Sequence, residues 1–127
     1  MPIKKIKVLM IEDDLDQIQL YGTKFRIENH DFIYGKDEED SLRLAQEQKP
    51  DIILLDVVLC EEDGIEVLKK LKQNKTTKDI PVVIFSNLDK KELIDEAFRL
   101  GAVDYIIKSK VVPSEIVRKV DEVVNKK

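Results

Sequence analysis

The sequence has very few of the residues that build disulfides and zinc sites. It contains one cysteine, Cys60, and one histidine, His30. A single cysteine excludes an internal disulfide and is typical of a reducing cytoplasm. Without a cluster of cysteine and histidine, an ordinary zinc site is excluded as well. We expect His30 to be exposed in the turn after the first helix, and no second histidine is available for a conventional histidine kinase site.

Long apolar runs and a surplus of positive charge are also missing. No run of about 18 or more apolar residues occurs, which excludes an ordinary transmembrane helix. The short apolar run near the N-terminus has no small-residue cleavage site after it, so we predict no signal peptide. The net charge of -4 and the pI near 5.1 argue against direct binding to nucleic acid or to a membrane surface. We therefore expect a cytoplasmic protein.

The chain is long enough for one folded domain, which we expect to span residues 1–127. Hydrophobic residues make up 43% of its 127 positions and charged residues 38%, enough for a core and a highly charged surface. Apolar runs alternate with segments in which apolar residues recur at helical spacing. The runs predict strands at residues 6–11, 31–35, 51–55, 82–85 and 103–107. The amphipathic segments predict helices from 15 to about 29, from 37 to 48, from 64 to about 74, around 93–98 and from 113 onward.

This alternation predicts an α/β fold with a parallel sheet and helices on both faces. Five strands and five helices favour a doubly wound sheet with the flavodoxin-like strand order 2-1-3-4-5. In such sheets, ligands bind just outside the carboxyl ends of the strands. The residues that directly follow the strands are therefore the first candidates for a functional site.

Asp56 follows the most apolar of the predicted strands. Ile52 to Leu55 are apolar at every position, which is typical of a strand buried on both faces, and Asp56 comes directly after them. Asp63 and Gly64 then turn the chain into the next helix. Taken alone, Asp56 is as readily an ordinary turn residue, because aspartate is common where strands end.

Polar side chains also follow three other strands. Glu12 and Asp13 follow the first, Ser86 the fourth and Lys108 the fifth. Two carboxylates about 4 Å apart repel by about 4 kcal/mol at an effective dielectric constant near 20. Lys108 offsets one of the three negative charges of Glu12, Asp13 and Asp56, which would converge at this edge of the sheet. A divalent cation such as Mg²⁺, which prefers oxygen ligands, would offset the other two.

Such a cluster suits the transfer of a phosphoryl group. A cation and Lys108 can neutralise phosphoryl oxygens, and the Ser86 hydroxyl can donate to another. A carboxylate can itself be the nucleophile, which gives an aspartyl phosphate. Each residue also has an ordinary interpretation: the acids as helix caps, Ser86 as a loop residue and Lys108 as a surface lysine. Their shared position at strand ends favours the site.

Four motifs in this chain resemble those of the receiver domains of two-component response regulators. They are VLMIEDD, DIILLDVVLCEEDGIEVL, PVVIFSN and GAVDYIIKS. They are similar, in order, to the acidic motif of the first strand, the phospho-acceptor motif, the Ser/Thr after strand four, and the aromatic residue with the lysine of strand five. Each is weak alone, but four in order over essentially the whole chain form a strong signal of a stand-alone, chemotaxis-regulator-like receiver.

The resemblance implies a role for each residue at the strand ends. Asp56 would accept a phosphoryl group from the phosphohistidine of a histidine kinase or phosphotransfer protein, with Lys108 and Ser86 contacting the phosphoryl oxygens. The implied ligands of Mg²⁺ are Asp13 and Asp56 directly, Glu12 through water, and the backbone carbonyl of Val58.

The resemblance also implies a switch rather than a metabolic enzyme. Ser86 and Tyr105 would move toward the phosphoryl group and change the face formed by helix four, strand five and helix five. A downstream protein partner or a second copy of the chain would bind that face. We expect no output domain after Lys127 and therefore action by protein contact; the alternative is that the chain is a fragment of a longer regulator. Its catalysis would be limited to self-phosphorylation and slow autodephosphorylation.

Two residues depart from the family's usual pattern, because Cys60 and Ser109 each replace a proline. At Cys60 we expect a less rigid loop and a partly exposed thiol. At Ser109 the family usually has a cis bond, which costs about 2.5–4 kcal/mol without proline. We predict either a trans Lys108–Ser109 bond with a rearranged loop or an unusual strained cis bond.

Val58 and Leu88 occupy the positions that tune phosphate lifetime in the family, two residues beyond the acceptor and two beyond the serine. Both are apolar and cannot position an attacking water, which predicts slow self-dephosphorylation.

Two other functions remain open. One is an unphosphorylated pseudo-receiver that acts as a protein interaction module, against which the complete set of acids, serine and lysine argues. The other is a small hydrolase or flavin-binding protein of the same fold. A flavin site needs a Ser/Thr/Gly-rich phosphate loop where this chain has EDDLD, and an Asp-x-Asp phosphatase needs a second acid at the position of Val58.

Overall fold

A five-stranded parallel sheet lies between two layers of helices in the computed structural model, which describes residues 5–59 and 62–125. The strands are β1 (Lys7–Ile11), β2 (Asp31–Gly35), β3 (Ile52–Leu55), β4 (Val82–Ser86) and β5 (Asp104–Ile107). The helices are α1 (Leu15–Ile27), α2 (Glu38–Gln48), α3 (Gly64–Gln73), α4 (Lys91–Arg99) and α5 (Pro113–Asn125). The strand order is 2-1-3-4-5, which confirms the predicted fold. None of the helices in these two ranges is long and apolar enough to cross a membrane.

Alternate residues of the strands face two separate hydrophobic clusters. Met10, Leu54 and Phe85 belong to the cluster that α1 and α5 cover. Leu55 and Ile84 belong to the cluster on the opposite face, which α2, α3 and α4 cover. Since β3 lies between β1 and β4 and is covered on both faces, its four side chains are fully buried, as their unbroken apolar run predicts.

Aspartates begin three of the helices. The side chains of Asp14, Asp37 and Asp63 accept backbone N–H bonds from the first turns of α1, α2 and α3, respectively. After α4, Gly101 adopts a φ of 111°, a left-handed conformation that favours glycine at a helix end. The three aspartates set the points at which the chain enters α1, α2 and α3, and Gly101 lies where it leaves α4.

His30 is buried, with an exposed fraction of 6%, and the prediction that it is exposed is wrong. Its Nδ1 atom accepts a hydrogen bond from the backbone N–H of Ile6 at 3.1 Å. Its ring also lies 6.3 Å from the ring of Phe25, measured between centroids. Because a core position supplies both a donor and an aromatic neighbour, the imidazole is buried with its hydrogen bond satisfied.

The segment after Asp56 is more ordered than the loop that the sequence predicts. Val58–Leu59 and Glu62–Asp63 form a short antiparallel pair, and the N–H of Gly64 donates to the carbonyl of Val57 at 3.1 Å. Cys60 lies outside the described residues, so the partial exposure of its thiol stays a prediction.

The peptide bond between Lys108 and Ser109 is trans, and the chain there forms a single 3₁₀ turn, Lys108–Lys110. Of the two predicted states of this bond, cis and trans, the trans bond is therefore the one observed.

Gly64, the first residue of α3, has no room for a side chain. A Cβ atom there would lie 2.4 Å from the Cα of Val57 and 2.6 Å from the carbonyl oxygen of Asp56. Both atoms are backbone and cannot rotate away. We expect Gly64→Ala to lower the free energy of unfolding by about 1–3 kcal/mol, measured by urea denaturation.

A matched control lies in the last turn of the same helix. Gln73 is exposed, so Gln73→Ala should change the free energy of unfolding by no more than about 0.5 kcal/mol. Equal stability of the two variants would contradict the packing argument at Gly64.

Candidate functional site

Four side chains from the carboxyl ends of β1, β3, β4 and β5 lie in one cleft. Glu12, Asp56, Ser86 and Lys108 have exposed fractions of 2%, 8%, 0% and 9%. Asp13, which is half-buried, lines the same cleft, whose volume is about 360 Å³. The fold thus brings together the charged and hydroxyl side chains that the sequence places directly after, or at the end of, four different strands.

The ammonium group of Lys108 pairs with two carboxylates at once. Its Nζ donates to Oδ2 of Asp56 at 2.8 Å and also to Oε1 of Glu12. Burial opposes the charge of Lys108, but the hydrogen bonds to Asp56 and Glu12 outweigh burial and raise the pKa of Lys108. The lysine therefore remains charged and fixed beside the carboxylate of Asp56.

Glu12 is held from two sides. One oxygen, Oε2, accepts the backbone N–H groups of Asp13 and Asp14, each at 3.2 Å, while the other accepts from Lys108. Burial raises the pKa of Glu12, which Lys108 and the backbone of Asp14 oppose and the charge of Asp56 reinforces. The capping interpretation of the acidic run applies to Asp14, the N-cap of α1, whereas Glu12 is directed toward the cleft.

Both oxygens of the Asp56 carboxylate have a hydrogen-bond partner. Oδ1 accepts the backbone N–H of Val58 at 2.8 Å, and Oδ2 accepts from Lys108. The bond to Val58 spans two residues and is the kind that aspartate makes in turns. Asp56 is therefore a turn residue and also one partner of a buried ion pair. The interpretation as an ordinary turn residue and the interpretation as a member of the charged cluster both apply to it.

The donors in the cleft fit a hard divalent cation. Three carboxylates against one ammonium leave a formal charge of -2 from Glu12, Asp13, Asp56 and Lys108. Within residues 5–59 and 62–125, no group of three or more His, Cys, Asp or Glu side chains is arranged to hold a metal by itself. Mg²⁺ does not need such a group, since it usually binds one or two carboxylates and keeps several waters. Asp13, Asp56 and the carbonyl of Val58 could supply that small set.

The loop after β4 connects Ser86 to Tyr105. The backbone N–H of Leu88 donates to Oγ of Ser86 at 3.3 Å, and the hydroxyl of Tyr105 donates to the carbonyl of Leu88 at 2.7 Å. Burial raises the pKa of Tyr105, and the negative charges of Asp56 and Asp89 act in the same direction, so the hydroxyl keeps its proton. Leu88 is thus the residue through which the serine and the tyrosine are linked.

One further residue of the site, Asn87, belongs to the PVVIFSN motif at the rim of the sheet, but the sequence gives it no role. Asn87 lines the cleft, and its Oδ1 atom accepts the backbone N–H of Ser109 at 2.8 Å. The sequence does contain a signal for it, because Asn87 directly follows Ser86 at the rim of the sheet. Its partner could not be identified in the same way, since that partner is a backbone group of a turn. Val58 and Leu88 also line the cleft, and both are exposed.

The family model of the response regulator receiver domain matches residues 8–121 of the chain. Among curated proteins, the alkaline phosphatase synthesis transcriptional regulatory protein PhoP of Bacillus subtilis is 34% identical over 102 residues, or 80% of this chain and 42% of PhoP. The transcriptional regulatory protein YdfI of the same species is 36% identical over 106 residues, or 80% of this chain and 47% of YdfI. The chain therefore spans less than half the length of these two relatives.

Among solved structures, the receiver domain of the Francisella response regulator 1452 superposes with a TM-score of 0.86 at 30% identity. The match covers 96% of this chain and 98% of that one. Receiver domains are phosphorylation-switch modules rather than classical enzymes; they interact with histidine kinases and downstream effectors and generally bind a divalent metal. Because the family model covers nearly the whole chain and these relatives agree with it, the chain belongs to the response regulator receiver domains of two-component signalling.

Proposed function

We propose that this chain is a phosphorylation switch in which Asp56 accepts a phosphoryl group from the phosphohistidine of a kinase or phosphotransfer protein. The observation that carries the proposal is the buried pair of Lys108 and Asp56, whose atoms lie 2.8 Å apart at the end of β3. In the transfer, a carboxylate oxygen forms a bond to phosphorus as the bond from phosphorus to the imidazole nitrogen breaks, and the imidazole leaves.

The residues around Asp56 have separate parts in this step. Lys108 and the N–H of Val58 hold the two carboxylate oxygens in fixed directions, so the nucleophile is oriented before the donor arrives. Lys108 can then neutralise a phosphoryl oxygen, and the hydroxyl of Ser86 can donate to another.

Asp13 and Asp56 would hold Mg²⁺ directly, with the carbonyl of Val58 as a further ligand and Glu12 acting through water. When bound, the cation neutralises charge on the transferring phosphoryl group. The net charge of -2 in the cleft supports a cation site.

The output surface would be the face formed by α4, β5 and α5. As Ser86 moves toward the phosphoryl group, Leu88 moves with it, and the bond from Tyr105 to the carbonyl of Leu88 carries the change to β5. Phe98 on α4 and Val103 before β5 are exposed apolar side chains near that strand. A downstream protein or a second copy of the chain would bind this face in the phosphorylated state.

Replacement of the acceptor is the direct test. Incubated with acetyl phosphate and Mg²⁺, the wild type should gain the mass of one phosphoryl group, and Asp56→Asn should gain none, because an amide is not a nucleophile toward phosphorus here. Intact-mass spectrometry measures both. Asp51→Asn is the matched control: Asp51 lies at the opposite end of β3, where its side chain accepts the N–H of Lys7, and its variant should be phosphorylated like the wild type. Phosphorylation of Asp56→Asn would contradict the assignment.

Lys108 should weaken the binding of Mg²⁺ and speed the phosphorylation of Asp56. The ammonium group of Lys108 repels the cation and occupies oxygens of Glu12 and Asp56. The Lys108→Met variant should therefore bind Mg²⁺ more tightly, on the order of tenfold. Its Asp56 should be phosphorylated more slowly, because no ammonium group neutralises the phosphoryl oxygens. Isothermal titration calorimetry gives the affinity and intact mass gives the rate. Lys110→Met, an exposed lysine of the same turn, should change neither. Weaker Mg²⁺ binding by Lys108→Met would refute the charge competition.

The phosphorylated form should persist well beyond seconds without a phosphatase. Val58 and Leu88 line the cleft and present no polar group that could orient water on the acyl phosphate. Val58→Asn should shorten the lifetime roughly tenfold, because an amide can hold an attacking water in place. The lifetime is measured by intact-mass spectrometry, as the rate at which the protein loses the mass of the phosphoryl group after acetyl phosphate is removed. Val58→Leu, which remains apolar, should behave like the wild type, and equally rapid loss in all three proteins would contradict the argument.

A further inference from the structure

A hydrogen bond between Asn87 and Ser109 joins the two loops that flank the cleft. Oδ1 of Asn87 accepts the backbone N–H of Ser109 at 2.8 Å. Asn87 directly follows Ser86, and Ser109 directly follows Lys108. The contact therefore links the neighbour of the serine to the neighbour of the lysine, and we call this single hydrogen bond the loop clasp.

The loop clasp depends on the backbone N–H of Ser109. A proline at position 109 would have no N–H to donate, so the bond could not form. With serine, the Lys108–Ser109 bond is trans and the chain continues as a 3₁₀ turn, whose first N–H groups have no partner within the turn itself. The side chain of Asn87 satisfies one of these groups.

The residues next to the loop clasp make contacts that a phosphoryl group on Asp56 would disturb. Ser86 accepts from the N–H of Leu88 in its own loop, and Lys108 donates directly to the carboxylate of Asp56. A phosphoryl group on Asp56 would have to separate Lys108 from that carboxylate and attract the Ser86 hydroxyl. Both changes displace a residue that is covalently joined to one end of the loop clasp.

We propose that the loop clasp restrains the unphosphorylated conformation and that Asn87 is a positioning residue that opposes activation. This inference rests on the proposed function, because it requires a phosphoryl group at Asp56 to move Ser86 and Lys108. A contact made in only one of two conformations shifts their equilibrium by its own contribution. For a typical hydrogen bond that shift is about 2- to 10-fold.

The test compares variants that remove the bond with one that retains it. Asn87→Ala removes the acceptor and Ser109→Pro removes the donor. Ser109→Ala retains the backbone N–H and is the matched control. The probe is beryllofluoride in the presence of Mg²⁺, because it imitates a phosphoryl group on a carboxylate without turning over.

The apparent Kd for beryllofluoride, followed by NMR, should be about 2- to 10-fold lower in Asn87→Ala and in Ser109→Pro than in the wild type. The double variant should bind no more tightly than the tighter single variant, since the same bond is lost in each. Ser109→Ala should bind like the wild type. A contact that only supports the folded structure would stabilise both states equally and leave the Kd unchanged.

A second measurement tests the bond without any phosphoryl analogue. In the unliganded protein, the amide of residue 109 should exchange with solvent faster in Asn87→Ala than in the wild type and Ser109→Ala. Unchanged exchange would overturn the inference, because the bond would then be absent in solution.

The two proposals fail in different ways. If the wild type binds beryllofluoride but Asn87→Ala binds it equally well or more weakly, the role of the loop clasp is overturned and the proposed function stands. If the wild type neither binds beryllofluoride nor accepts a phosphoryl group, the proposed function fails, and the role of the loop clasp in activation fails with it.

Discussion

The ammonium group of Lys108, held between the carboxylates of Asp56 and Glu12, is the interaction on which the arrangement of the cleft depends. Buried charges lose their hydration, and only close pairing with opposite charge compensates that loss. Without the lysine, two nearly buried carboxylates would repel each other at the ends of adjacent strands. With it, one of the three negative charges of Glu12, Asp13 and Asp56 is neutralised and two remain. The cleft therefore keeps its buried charges paired and retains a net negative charge, a combination that would suit the reversible addition of an anionic group with the help of a cation.

The same lysine would make the cleft sensitive to the addition of a phosphoryl group. Under the proposed function, a phosphoryl group on Asp56 would change the partner of Lys108 and offer a new acceptor to Ser86. The loop from Ser86 to Leu88 is bonded to Tyr105 on one side and, through Asn87, to Ser109 on the other. A change of charge at one carboxylate can therefore bias two surface segments through a few hydrogen bonds. A local change of charge can alter the conformation of a larger surface when the linked segments have two conformations of similar free energy.

Much of this molecule could be predicted from local patterns. The unbroken apolar run of β3 indicates a central strand, and Asp14 and Gly101 mark helix ends because their side-chain chemistry and backbone freedom suit those positions. The convergence of Glu12, Asp56 and Lys108 follows from the fold, since parallel strands end at the same edge. The burial of His30 could not be predicted, because it depends on a backbone donor, Ile6, that lies 24 residues away in the chain.

The sequence by itself determined the strand order, the two covered faces of the sheet and the set of charged residues at its rim. Periodicity and strand-end chemistry are local properties, and the rules of parallel sheets convert them into a topology. Only the tertiary structure decided how those residues are paired: which carboxylate oxygens contact Lys108, that Val58 donates to Asp56, and that Asn87 reaches the N–H of Ser109. These pairings depend on distances of about 3 Å between atoms of different loops. Residue types and spacings determine which elements meet, but the loop conformations determine which atoms do.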